Sequence, residues 1–266
     1  MTPLSGYIES VGIVGPGLAD WPTTMAVLAG STPYVAKTTE LPALDVLPAA
    51  ERRRTGRVVK LALAVGLEAT SRAGRDPAML PSVFSSSSGD GDNCHELCET
   101  LASSDRQLSP TKFHNSVHNA AAGYWSIATG ARTPSNALCA FDASFAAGLL
   151  EALTQVVVDR TAVLLVAYDA QFRGPMHAKR PIADALGVAL VLSPEQRASS
   201  IARVSAALTD LPAERLADEQ LEALRLSIPA ARSLPLLRQL TRREPASVII
   251  EYLGALRVAV EVAPCG

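Results

Sequence analysis

Histidine is scarce in this 266-residue chain: there are four, His95, His114, His118 and His177, and none follows residue 177. An imidazole base supplied by the last third of the chain is therefore excluded. Cysteine is as sparse, with four residues, too few for a disulfide framework at this length. Charged residues make up 19% of the chain and the formal net charge is −2, so little drives nonspecific phosphate attraction and no nucleic-acid partner is expected. The one strong basic cluster, ERRRTGR (51–57), reads as a solvated or salt-bridged helix start. No run approaches the roughly 18 apolar residues of a membrane span, and MTPLSGYIES lacks the charged start and apolar core of a signal peptide. A cytoplasmic location is expected. No serine sits in G-x-S-x-G, and Gly15-Pro16-Gly17 lacks the third glycine and distal acid of a dinucleotide fingerprint.

What is abundant is apolar surface, at 48% of residues, enough for one large domain or two small ones. YIESVGIVGPG (7–17) reads as a strand entering a loop, and RVVKLALAVGLEAT (57–70) as an amphipathic or buried helix. SVFSSSSGDGDN (82–93) is a short strand ending in small residues, followed by a helical CHELCETLASS (94–104). Ala-rich 113–130 is expected to be helical up to Gly130; PSNALCAF then reads as a strand and ASFAAGLLEALTQVVVD as a helix. TAVLLVAYDA (161–170) and GVALVLS (187–193) are buried strands. Beyond Pro194, 201–210 reads as a strand, 212–241 as helical, and 247–262 as two strands about a Leu-Gly-Ala turn. Alternating helices and near-continuous apolar strands predict an α/β sheet covered on both faces.

Two constellations carry possible chemistry. Cys94-x3-Cys98 and His114-x3-His118 place four ligand-type residues in two i,i+4 pairs that could face one zinc ion, although no tight cysteine knuckle supports it. The plain alternative is two buried thiols and two partly exposed imidazoles. In LCAFDASFAAG (138–148), a strand breaks into a helix at small residues, and Cys139 and Asp142 compete as nucleophile. Cys139 falls inside the expected strand, where burial would raise its pKa. Asp142 falls at the helix start, where the dipole favours a carboxylate and a capping role is commonplace.

Several stretches in order resemble the β-ketoacyl synthases. SPTKFHNSVHNAAAGYWSIATGARTPSNALCAFDASFAAGLLEA is similar to their region from dimer-interface helix to active-site elbow, and GVALVLS to the strand closing their N-terminal half. VGIVGPG, ERRRTGRVVKLALAVGLEA and VFSSSSGDGDN fall in the matching order upstream, so the likeness covers about residues 7–193. It implies a thiolase-like layered fold, with the N-terminal half (1–193) largely complete and a shortened C-terminal segment (194–266) that keeps covering helices and a final strand pair.

In active relatives the elbow cysteine attacks an acyl thioester and a histidine pair with a lysine assists decarboxylation. With Pro134 and Ser135 fixing the register, Asp142 takes the nucleophile's position, and the histidine pair has no counterpart. The resemblance thus implies a non-catalytic subunit similar to chain-length factors, of the truncated kind found in aryl-polyene or xanthomonadin-type pigment clusters. Its partner would be a full-length ketosynthase, with acyl carrier protein engaged indirectly and no cofactor. Phe113, Ser116, Val117, Asn119, Tyr124 and Trp125, on the helix at about 111–129, are the expected interface and acyl-tunnel residues. Two rival readings remain: an acyltransferase or thioesterase acting through Cys139 or Asp142, and a homodimeric or zinc-bound structural protein.

Overall fold

The computed structural model describes residues 4–266. Eight strands, β1 (Leu4–Val14), β2 (Ser82–Ser85), β3 (Ser135–Leu138), β4 (Val163–Asp169), β5 (Leu186–Ser193), β6 (Ala202–Thr209), β7 (Ala246–Glu251) and β8 (Arg257–Pro264), form one mixed sheet. Their order is β3-β2-β4-β5-β1-β6-β8-β7. β2 runs parallel to β3 and β4, and the other pairs are antiparallel. The C-terminal segment does not start a second sheet. β1 is long enough to pair with β5 over Tyr7–Val14 and to offer Leu4–Ile8 on its other side to β6, so β6, β8 and β7 extend the same sheet.

Helices cover both faces. On one, α3 (Arg57–Ala73) and α6 (Ala120–Thr129) pack Leu61, Val65 and Trp125 against Phe84, Val166 and Tyr168. On the other, α7 (Ser144–Val158), α9 (Glu219–Ser227) and α10 (Leu234–Leu240) pack Leu149, Leu153, Leu224 and Leu237 against Ile8, Val11, Leu165 and Leu190. β4 and β5 are buried at every position, which is why they read as unbroken apolar runs. Each such Leu or Val contributes about 1.5–3 kcal/mol on burial. α3 lies so close to β1 that a Cβ on Gly12 would collide with the Val65 carbonyl. It ends at Gly74 in the left-handed conformation, φ 61°.

α1 (Trp21–Leu28) follows the Gly15–Leu18 turn, where Gly17 has φ 66° and sits against the Val35 carbonyl; the glycines there are structural. α2 (Ala49–Arg54) and the first residue of α3 carry the basic cluster, and ion pairs absorb much of it: Arg52–Asp45 at 2.7 Å, Arg54–Glu51 at 3.2 Å and Arg57–Asp184 at 2.9 Å. α4 is Gly91–Ala102, α5 is Pro110–His114 and α8 is Gly174–Lys179.

Three expectations are corrected. The helix expected over 113–130 is two, α5 and α6, broken at 115–119. Asn115 fixes the break: its side-chain amide donates to the Arg54 carbonyl at 2.8 Å and its oxygen accepts from the Tyr124 hydroxyl at 3.1 Å. The 212–241 segment is α9 and α10 separated by a 3-10 turn, Pro229–Ser233, with prolines opening both the turn and α10. Finally, Phe141–Val158 does reach 18 residues at a mean hydropathy of 1.4. Half of that window is buried, with Phe145, Leu149, Leu153 and Val156 in the core against the sheet, so it serves as a core helix.

Candidate functional site

The elbow is built by β3, a 3-10 turn at Phe141–Ala143, and α7. Phe141 stands at its apex with φ 53°, a left-handed conformation unusual for a bulky side chain. Ser144 holds the turn closed: its Oγ donates to the Phe141 carbonyl at 2.7 Å and accepts from the Ala140 amide at 3.1 Å. Beneath it, Ser85 Oγ donates to the Ser144 carbonyl, tying α7 to β2.

Asp142 does not cap α7. Its carboxylate is held between two arginines: Arg180 Nη2 donates to Oδ1 at 2.6 Å and Arg232 Nη2 to Oδ2 at 3.1 Å. Arg180 follows α8, and Arg232 comes from the 3-10 turn before α10. The charges continue outward. Arg232 Nη1 reaches Glu251 at 2.9 Å; Glu251 also pairs with Arg225 at 2.9 Å, and Arg225 with Glu222 at 2.7 Å. Helix-dipole reasoning placed a carboxylate at the right end of α7 but missed its partners, which lie 38 and 90 residues away in sequence. Arg180 also covers the Phe141 ring, its guanidinium carbon 3.7 Å from the centroid.

A second acid sits behind the elbow. Asp169, at the end of β4, is fully buried, and its carboxylate accepts from the Ser87 amide at 2.8 Å. Burial pushes its pKa up to about 6, against the opposing pull of the Ser87 hydrogen bonds and the Arg180 charge.

Cys139 is exposed, contrary to the expectation of a buried strand residue. β3 ends at Leu138 and is the terminal strand of the sheet, so no further strand covers it. The Cys139 thiol donates to the Ser87 carbonyl at 3.3 Å. Among the described residues no histidine hydrogen-bonds to Cys139 or Asp142; His118 Nε2 lies instead 3.0 Å from the Leu138 carbonyl. The zinc constellation does not form. Cys94 and Cys98 are exposed on α4, whose buried residue is Leu97, and His114 is exposed at the end of α5. Among the described residues no three histidine, cysteine or acidic side chains come together as metal ligands. The expectation of buried thiols is likewise corrected, because Leu97 is the one residue of α4 that is buried.

The six expected interface residues divide. Phe113 (64% exposed), Val117 (52%), Ser116 and Asn119 are at the surface. Tyr124 (3%) and Trp125 (1%) are core residues instead. Trp125 packs 6.3 Å from Phe84, ring centre to ring centre, and over Gly66, and Tyr124 is spent on Asn115. Sequence reasoning missed a surface aromatic, Phe141, which is 61% exposed. β3 itself offers Ser135, Asn136 and Ala137 to solvent, and among the described residues it pairs only with β2. A charged cavity of about 410 Å³ between the arginines of α2 and the acids of α4 has a lining unsuited to an acyl chain.

Parallel β2 and β4, antiparallel β5 and β1, helices on both faces and an elbow between β3 and α7 define a thiolase-like ketosynthase fold. The sequence profile described as "Beta-ketoacyl synthase, N-terminal domain" matches residues 29–248, and the chain belongs to that family. The fold is similar to a chain of the ketosynthase ApeO in complex with its chain length factor ApeC from Xenorhabdus doucetiae, at 23% identity and TM-score 0.73, over 97% of this chain and 99% of that one. It is also similar to the ishigamide ketosynthase/chain length factor, at 13% identity and TM-score 0.73, over 98% and 100% of the two chains. A β-ketoacyl synthase from Burkholderia phymatum matches at 11% identity and TM-score 0.68, over the full length of both. No curated protein sequence matches the chain.

Proposed function

We propose that this chain is a non-catalytic, ketosynthase-like subunit of the chain-length-factor kind, which pairs with an active β-ketoacyl synthase. The observation that carries this reading is the double arginine clamp on Asp142. A carboxylate with an arginine on each oxygen is a poor nucleophile, and an acyl-aspartyl anhydride would hydrolyse easily. The partner therefore supplies the thiolate and the histidines. This chain supplies surface: the edge strand β3, the exposed Phe141 just past its end, and the exposed Phe113 and Val117 of the segment whose His118 meets the Leu138 carbonyl. An edge strand with unpaired backbone groups is suited to accept a partner strand, and exposed aromatics beside it are suited to bury in a joint interface. Phe113 and Val117 are the residues of this face proposed to shape a shared acyl tunnel, with Ser116 and Asn119 as polar contacts. The sequence resemblance supports a pigment pathway of the aryl-polyene or xanthomonadin type, and a carrier-bound acyl chain would be met only through the pair.

The test is co-purification with the ketosynthase encoded beside this chain. A stable one-to-one complex is expected, and a monomer that binds no such ketosynthase would contradict the reading. A second reading, acyl transfer through Cys139, rests on one observation, the exposure of that thiol. It lacks an imidazole hydrogen-bonded to the sulfur.

A further inference from the structure

Phe141 combines two features that stability alone does not favour. Its backbone holds φ 53°, where a bulky residue is strained, and its ring is left 61% exposed. A glycine would remove the first and a polar residue the second. The surroundings nevertheless fix this ring in place. Arg180 sits over one face of it while bound to Asp142, Arg232 holds the other Asp142 oxygen, and Ser144 closes the turn on both sides. The remaining ring surface faces solvent just past the end of the open β3 edge.

We infer that Phe141 is the anchor of the partner interface, a rigid aromatic that inserts into an apolar pocket of the ketosynthase, with Asp142 and Arg180 as its positioning residues. The inference rests on the pairing proposed above and adds what the former nucleophile position does: the carboxylate that replaces chemistry aims a neighbouring ring. Several observations favour the ketosynthase as occupant. The ring stands three residues past the end of β3, the terminal strand of the sheet, whose outer edge is suited to accept a partner strand, and His118 ties the segment bearing the exposed Phe113 and Val117 to the Leu138 carbonyl. An arginine already fills one face of the ring, so the pocket has only to take the other. Preorganised aromatics of this kind are the residues on which affinity concentrates, because little side-chain freedom is lost on binding.

The experiment measures the affinity of the full chain for the ketosynthase encoded beside it, using the natural sequence, Phe141→Gly and Phe141→Asn, with the melting temperature of each chain alone. Gly and Asn both accept the left-handed conformation, so at least one variant should melt within a few degrees of the natural chain. The expected result is a roughly 30-fold or greater loss of affinity in a variant that remains folded. Arg180→Lys, which keeps the charge but not the guanidinium over the ring, should lose affinity to a smaller degree. Tight binding by the natural chain with equal affinity in the folded variants would overturn the anchor and leave the pairing intact. No binding by the natural chain would overturn the pairing itself. Self-association lost in Phe141→Gly without any ketosynthase binding would assign the anchor to a second copy and overturn the inference as stated.

Discussion

The guanidinium of Arg232 donates to the carboxylate of Asp142 across 90 residues of sequence, at 3.1 Å. This bond ties the C-terminal segment to the elbow, and Arg180 closes the other side of the same carboxylate at 2.6 Å. Loss of Asp142 leaves the largely buried Arg180 without its carboxylate and Arg232 with Glu251 alone. Asp142→Ala is expected to lower the unfolding free energy by about 1–3 kcal/mol, read from urea denaturation. Asp142→Cys should be destabilised to a similar degree and show no condensation activity alone, since no histidine stands beside the new thiol. An unchanged urea midpoint would show that the clamp contributes nothing to stability.

The division of the former interface set is tested by pairing two aromatics. Trp125→Ala removes a buried indole packed on Phe84 and Gly66, and should cost about 3–5 kcal/mol of stability. Phe113→Ala, on the surface, should stay within about 0.5 kcal/mol in the isolated chain while weakening ketosynthase binding or lengthening the product of the pair. Equal effects of both variants on stability would contradict the assignment.

Asp169 gives the protein a pH dependence of known sign. Burial raises its folded pKa to about 6 from an ordinary 3.8, so the folded state holds this proton more tightly than the unfolded state. Its contribution to stability is therefore lost as pH rises from about 4 to about 6. Asp169→Asn removes that loss. Relative to the natural chain, the variant should gain roughly 3 kcal/mol between pH 4 and pH 7 in urea titrations. A pH-independent difference would contradict the raised pKa.

The exposed thiols separate accessibility from catalysis. Cys94, Cys98 and Cys139 should each react with a small alkylating reagent in the folded protein, whereas incubation with an acyl-loaded carrier protein should leave the intact mass unchanged. An acyl adduct at Cys139 would establish the acyl-transfer reading instead.

The sequence and the structure agree where the signal is periodic. Apolar β4 and β5, the helical spacing of α3 and the strand-to-helix break at 138–144 are all visible in the residues, because a two-sided core leaves continuous hydrophobic runs. The order of segments also carried the family. What was not legible depended on contacts distant in sequence. The Asn115–Arg54 bond that breaks the 113–130 helix is one, and the joining of β6 to β1 is another. Cys139 reads as buried because an apolar strand looks alike at the centre and at the edge of a sheet, and only the strand order distinguishes them. Phe141 gave one usable signal, a large aromatic in a turn of otherwise small residues. Its stacking partner Arg180 gave none.

The central claim is that this chain supports condensation by a partner and does not perform it. The most direct measurement is reconstitution from separately purified subunits with a radiolabelled acyl carrier protein, following both product and the chain that carries the label. The account predicts no product from this chain alone, product when the ketosynthase is added, and label on the ketosynthase cysteine. Product from this chain alone, or label on Cys139 or Asp142, would contradict it.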